Sequence, residues 1–416
     1  MLVDTAKGAA PATRIRSIDA LRGFVMFTMI FVNDLAGAPK AVVPDWMVHF
    51  SDRHQHGSGM TFVDLVFPAF LFLVGMSIPF ALGGRLNQGE PVWKIFLHVA
   101  FRSLALLAIG ILMVNGESVA DASAAWSPGL WRYTMFLSAI VAFCTIMPPA
   151  AAPGAQRFWK TISLSLRGIG FIGMIYSALI FQGDRGQHII TFSPFAINTE
   201  WYGILGIIGW SYLFAAVVYL IFGRDRTALL GCVALLLCLY PADKNGLFDD
   251  LWLNRIFGVG EIGAHTSIAV SGILLATILV SADTATVRSR ARFTLLFATG
   301  CATAALLLTG LYGISKNEAT PSWCLWSAAI SAILWLIFYF VTDVHPVKII
   351  AKPLVLAGQN VFLAYLLSEM LPSPFDLIPI SHPSSLAWYV LRCAAWAGLL
   401  LWLTAGLNRL GFRLKL

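Results

Sequence analysis

Charge is what this sequence has least of. Only 12% of its 416 residues are Asp, Glu, Lys or Arg, against 58% hydrophobic, a balance too apolar for a water-soluble globular chain. Cysteine is scarce as well. The six present, Cys144, Cys232, Cys238, Cys301, Cys324 and Cys393, fall in or beside apolar stretches with no Cys-x-x-Cys pair, which speaks against a disulfide framework and a zinc site. They are expected to act as small packing residues. Low-complexity tracts, a soluble-domain-sized insertion and a repeat between the two halves are also missing. The opening stretch MLVDTAKGAAPATR has neither an apolar core nor a cleavage site, so no secretory leader is expected in it.

What the chain does have is a series of apolar stretches, each near the ~20 helical residues needed to cross a hydrocarbon core of about 30 Å. They fall near 18–36, 62–83, 94–114, 132–149, 161–182, 201–222, 227–240, 264–281, 292–312, 323–342, 353–371 and 386–407. The weakest is 227–240, where ALLGCVALLLCLY is short enough to be re-entrant. The expected fold class is therefore all-α, a polytopic helical membrane bundle of about twelve spans. Its parts would be a mobile tail at 1–16, one membrane domain at 17–408 and a basic tail at 409–416. Placing both termini in the cytoplasm puts most of the 28 Lys and Arg inside, leaving Lys40, Arg53, Arg132, Arg185, Lys244, Arg255 and Lys316 outside, as the positive-inside rule requires. The net charge of +7 is then mostly a topological signal. It calls for a lipid bilayer, not a nucleic-acid partner.

In a membrane protein, function lies in the polar groups that the bilayer would exclude. One such group opens the second span, where DRHQHGSGMTFVDLVFPAFLFLVGMS changes from polar to apolar at Met60. The expected topology puts this loop outside, in the periplasm if the membrane is a bacterial inner membrane. Thr61 and Asp64 have capping-box spacing, and Asp64 could equally orient an imidazole, as a general base requires. Both roles are compatible. His49, His54 and His56 read as solvated loop residues or, less simply, as metal ligands; no further Cys or His motif completes a metal set, and no metal is expected. Asn33 lies sixteen residues beyond Ser17, about 24 Å along the first helix at 1.5 Å per residue. That puts it at the same end, either as a helix-packing amide or as part of a site.

Five stretches carry a family resemblance. RIRSIDALRGFVMFTMIFVND, the histidine loop, and then GMTFVDLVFPAFLFLVGMSI resemble the opening of the heparan-alpha-glucosaminide N-acetyltransferase family and its bacterial relatives. SKNEATPSWCLWSAAIS and KPLVLAGQNVFLAYLLSEM resemble later blocks of the same family, so the likeness runs from about residue 14 to about residue 370. It implies a membrane-embedded enzyme that passes acetyl from cytoplasmic acetyl-CoA, its cosubstrate, to the amine of a glucosamine-type sugar across the membrane. A homodimer is implied by the resemblance alone. The family's catalytic histidine lies five residues before the glycine of Gly-x-Thr-x-x-Asp, and counting back from Gly59 reaches His54. Asn33 matches the family's Val-Asn at the end of the preceding helix. Gly57 stands where the family commonly has tryptophan, which alters the expected shape of the acceptor pocket.

The chemistry suits that topology. A glucosamine ammonium must lose a proton before it attacks a thioester, and a histidine can accept it near neutral pH. Asn33 is placed to donate to the developing oxyanion. Arg22 and Arg102, partly inside spans, are the candidates for the phosphates of acetyl-CoA, with snorkelling to lipid headgroups as the alternative. His265, Asn317 and Ser322 border the same end as acceptor-pocket candidates or helix caps. Trp46, Trp126, Trp131, Trp201, Trp252 and Trp323 could stack on a sugar or form an interfacial belt. The rival reading is an amino-sugar or oligosaccharide transporter, favoured by Pro68, Gly75 and Pro79 within one span and by Asn360 and Glu369 within another.

Overall fold

The computed structural model describes residues 15–415 apart from 55–56, 119–126, 148–155, 184–185, 198–202 and 374–384. The chain is helical almost throughout. In order, the helices are α1 (Arg16–Leu35), α2 (Phe50–Arg53), α3 (Val66–Asn87), α4 (Val92–Asn115), α5 (Pro128–Phe143), α6 (Gln156–Ile180) and α7 (Ile204–Phe222). They continue with α8 (Arg226–Lys244), α9 (Val259–Val280), α10 (Val287–Tyr312), α11 (Pro321–Tyr339), α12 (Lys348–Gly358), α13 (Val361–Met370) and α14 (Leu386–Arg409). Among the described residues, four three-residue strands form two antiparallel pairs: β1 (Cys144–Ile146) with β4 (Phe412–Leu414), and β2 (Ile190–Phe192) with β3 (Phe195–Ile197).

Among the described residues, nine helices are long and apolar enough to cross a membrane. Three expected spans fall short of that standard for different reasons. Helix α1 has 20 residues but carries Arg16, Asp19, Arg22 and Asp34, and α5 has 16 residues. The stretch expected as one span at 353–371 is two helices broken at Gln359 and Asn360. A distant partner makes the break: the Asn360 side chain donates to Phe412 O and accepts the Leu414 N–H, both at 3.2 Å, so it is pinned to β4. The last residues are thus tied into the fold by the β1–β4 pair. By contrast α8, the weakest expected span, is an unbroken 19-residue helix that meets the length and hydropathy of a crossing.

Helix α9 is the hub. Every residue from Ile262 to Ile278 is buried, and α3 and α8 pack along it. Its small residues permit this, because backbones approach closely only where side chains are absent. A Cβ on Gly272 would lie 2.0 Å from Phe72 O, and one on Gly75 would lie 1.8 Å from Ala269 O. The two glycines form a seam where α3 and α9 touch backbone to backbone. Helices α6, α8 and α10 are the opposite case, presenting Leu164, Ile172, Leu230, Leu235, Leu307 and Leu311 outward. An apolar face of that kind is what lipid covers.

Candidate active site

The polar cluster sits where α3 begins. Arg53 folds the preceding segment back on itself, its Nε 3.3 Å from Asp45 and its terminal nitrogen donating to Val43 O at 2.9 Å. Phe50 closes the loop over Gly59, where a Cβ would come within 2.4 Å of the ring, so a larger residue there would push the Phe50 ring aside. The Gly59 N–H donates to Ile314 O at 2.9 Å, and Ser58 Oγ accepts the Ile314 N–H at 2.7 Å. Those two bonds bring the α10–α11 connection against the histidine loop.

Asp64 is the organising group, with only 3% of its side chain exposed. Its Oδ2 accepts the Thr61 N–H at 2.9 Å and the Phe50 N–H at 3.1 Å. The carboxylate half of the capping box is therefore present, while Thr61 Oγ1 lies 2.7 Å from Val48 O and 3.3 Å from Asp64 Oδ2, so its hydroxyl serves these acceptors. The other carboxylate oxygen lies 2.7 Å from His49 Nδ1. Asp64 does hold an imidazole, and it is that of His49. Lys316 Nζ approaches the same ring, 3.3 Å from both nitrogens. Burial pushes the Lys316 ammonium below the usual lysine range, with Asp64 and Asp52 acting in the opposite sense.

His54 is exposed at the end of α2, its ring 4.7 Å from that of Phe50; His56 lies outside the described residues. Asn33 is also exposed. It lines a basin of about 410 Å³ at the same end of the bundle, together with Asp34, Arg132, Tyr133, Glu369 and Trp396. No described cavity lining or hydrogen bond joins Asn33 to His54. Asn317 is exposed on the α10–α11 connection beside Lys316.

Other expected site residues have internal duties. His265 is 4% exposed, Nδ1 donating to Glu261 O at 2.8 Å between the rings of Phe67 and Trp323. It is a satisfied core histidine, not a group bordering solvent, because α9 is enclosed on all sides. Ser322 is fully buried and donates to Gly313 O, holding the turn into α11. Trp131 and Trp323 are core residues as well, while Trp46 and Trp252 are exposed; Trp126 and Trp201 lie outside the described residues.

The two arginines differ. Arg22 engages Asp19 at 3.4 Å and Ser77. Arg102 lies over the Tyr212 ring at 4.7 Å, its Nε buried with no hydrogen-bond partner among the described residues. It lines a narrow cavity of about 80 Å³ with Met26, Met29, Phe70 and Tyr365. An orphaned guanidinium nitrogen beside apolar walls suits a slender chain that carries polar atoms at intervals, such as a pantetheine arm. The space admits only a short segment of one.

Helical spans around a buried hub, with a carboxylate-held imidazole at one end, define a helical membrane protein with a polar terminal site. The family model described as "Domain of unknown function (DUF5009)" matches residues 14–247, and the chain belongs to that family. It is also 34% identical to the heparan-alpha-glucosaminide N-acetyltransferase of Homo sapiens over 102 residues, 24% of this chain and 14% of that protein. With the Mus musculus protein of the same name it is 33% identical over 104 residues, 25% of this chain and 14% of that protein. The matches support placing the chain in a heparan-alpha-glucosaminide N-acetyltransferase-like family, and they span about a seventh of the length of these relatives.

Sequence reasoning missed the roles of two residues here. His49 read as a solvated loop histidine or a metal ligand, and Lys316 entered only as a charge outside the membrane and within the stretch SKNEATPSWCLWSAAIS. No local pattern joins residues 267 positions apart.

Proposed function

We propose that this protein is a transmembrane acetyltransferase of a bacterial inner membrane. It takes acetyl from cytoplasmic acetyl-CoA and transfers it to the amine of a glucosamine-type sugar at the periplasmic face. The observation that carries the reading is the polar cluster of His49, Asp64 and Lys316 at the mouth of α3, beside the loop segment that ends at His54, in a chain related to proteins named for N-acetyl transfer. In the twelve-span topology, with both termini inside, that mouth faces outward.

His54 acts as general base, a role that rests on its spacing to Gly59, and Asn33 donates to the oxyanion. Asp64 fixes the loop that carries the histidine. Acetyl-CoA enters from the side rich in basic groups, Arg22 standing near the entrance and Arg102 meeting the arm within the bundle. Asn317 borders the acceptor, and a homodimer accords with the family likeness. The test is direct: purified protein incubated with acetyl-CoA and a panel of amino sugars should release free CoA only when an acceptor is present.

One observation favours a second reading. The α12–α13 break at Asn360 is the kind of discontinuous helix that carriers use for binding sites. A transporter of amino sugars would move glucosamine into proteoliposomes without consuming acetyl-CoA.

A further inference from the structure

The start of α10 carries three arginines in alternate positions, Arg288, Arg290 and Arg292 in VRSRARF. A helical period of about 100° per residue places Arg288 and Arg292 near one face and Arg290 on the other. The first two are exposed, and Arg290 is half-buried. It lines a cavity of about 350 Å³ together with Arg16, Leu279, Tyr339 and Asp343. Neither Arg22 nor Arg102 belongs to this cavity.

The cavity lies where helix ends meet. Arg16 begins α1, Leu279 stands next to the end of α9, Arg290 is in the first turn of α10, and Tyr339 ends α11. Helices α9, α10 and α11 are long and apolar enough to cross a membrane, so their ends stand at the height of the lipid headgroups. A π-helical turn (Phe340–Val344) continues α11, with the His345 N–H donating to Phe340 O at 2.8 Å. Such turns recur at functional sites, and this one carries Asp343 to the cavity wall.

Its walls offer donors with no acceptor. Arg290 gives Nε to Thr284 O at 3.0 Å and one terminal nitrogen to the Tyr339 hydroxyl at 3.1 Å, while its other terminal nitrogen has no partner among the described residues. Tyr339 is 4% exposed, and its phenol proton has no acceptor among the described residues. The Arg16 guanidinium makes no ion pair or hydrogen bond among them either. Among the described residues, one carboxylate lines the cavity against these two cations, and it is engaged: Asp343 Oδ2 accepts the Ser17 N–H of α1 at 3.1 Å. Thr342 Oγ1 is likewise committed, donating to Phe338 O at 2.7 Å.

We propose that this cavity binds the phosphodiester of an anionic glycerophospholipid such as phosphatidylglycerol, its oxygens accepting from Arg16, Arg290 and the Tyr339 hydroxyl. Guanidinium groups match phosphate oxygens in both charge and geometry, and basic pockets between spans hold lipid headgroups of this kind. A zwitterionic lipid would need a carboxylate for its ammonium, and Asp343 is already bonded to α1. Leu295 and Leu296, 50% and 63% exposed further along α10, offer the acyl chains an apolar face. The bound headgroup ties the start of α1 to α10 and α11, at the other end of the bundle from Asp64. The site is independent of the acetyltransferase reading.

The test uses delipidated full-length protein in neutral detergent, titrated separately with short-chain phosphatidylglycerol, phosphatidylcholine, inorganic phosphate and coenzyme A. Native mass spectrometry reads binding, and thermal unfolding reads stability. Phosphatidylglycerol should bind and raise the melting temperature, with phosphatidylcholine about 10-fold weaker. Arg16→Gln should weaken phosphatidylglycerol binding by about 10-fold, as expected for a lost hydrogen bond to a charged group, and leave the lipid-free melting temperature unchanged. Tyr339→Phe, which removes one neutral donor, should weaken it by about 3-fold. Arg288→Gln removes the same charge from the outward face and should alter affinity by less than about 2-fold, because exposed charges are screened. Equal losses from Arg288→Gln and Arg16→Gln would mean a general attraction to a basic surface and would overturn the site, as would equal affinity for the two lipids. Inorganic phosphate that binds as tightly as the lipid, or coenzyme A that displaces it, would overturn the lipid assignment.

Discussion

The α3–α9 seam and the loop that leads into α3 adjoin in sequence and differ in everything else. The seam is built from absence: two glycines let backbones meet within 2.0 Å of where a Cβ would stand, and α9 is buried along almost all its length. The loop is built from polar bonds, with Asp64 holding two amides and an imidazole and Lys316 drawn over the same ring. Close packing is concentrated in the first and polar contacts in the second, where the proposed chemistry lies. Substitutions in the two regions should therefore fail in different assays.

The largest effect on the fold is expected at the seam. Gly75→Ala places a methyl against Ala269 O, forcing two packed helices apart at a cost of roughly 3 kcal/mol or more. Thermal unfolding in detergent should show the loss, and unchanged stability would mean that the helices are not in backbone contact. Across the comparison, Asp64→Ala should harm both properties, because it releases the Phe50 and Thr61 amides as well as His49. Loss of a helix cap costs about 1 kcal/mol, and the activity deficit should exceed what that instability explains; activity that falls only in step with folding would leave Asp64 a capping residue.

The arginines sharpen the same contrast inside the bundle. Arg102→Ala should weaken acetyl-CoA binding by about 10-fold, in keeping with a hydrogen bond to a charged group, because Arg102 lines a cavity within the bundle and its buried Nε has no hydrogen-bond partner among the described residues. Arg22→Ala should weaken it less and lower stability more, since Arg22 already bonds Asp19 and Ser77. Calorimetry on both variants decides, and reversed effects would exchange their roles.

The smallest effect concerns Lys316. Burial depresses its folded pKa below that of the unfolded chain, so between the two values the unfolded state binds the extra proton and stability rises with pH. Lys316→Met should flatten that alkaline rise in melting temperature. A slope unchanged by the substitution would mean that Lys316 is solvated in the native state.

Much of the fold was legible because membrane helices announce themselves by length and hydropathy, as α3, α4, α7 and α9 do. The break in the expected span at 353–371 was hidden, since its cause, β4, lies 52 residues beyond Asn360. At the site, local pattern revealed what local geometry decides. The Thr61–Asp64 spacing pointed to the hydrogen bond that the Thr61 amide donates to Asp64 Oδ2. It gave no means of choosing His49 over His54, because that depends on how Arg53 and Phe50 fold the loop back. His265 misled for a related reason: beside a span end in sequence, it is enclosed by Phe67 and Trp323 from two other helices.

The central claim is that the polar end of this bundle performs acetyl transfer, and CoA release by purified protein tests it most directly. Wild-type protein supplied with acetyl-CoA and glucosamine should release CoA in step with N-acetylglucosamine formed, and His54→Ala should lower that rate by roughly 100-fold to 10,000-fold. A His54→Ala protein that acetylates at the normal rate would contradict the assignment of the base. Wild-type proteoliposomes that accumulate glucosamine while acetyl-CoA stays intact would contradict the claim itself.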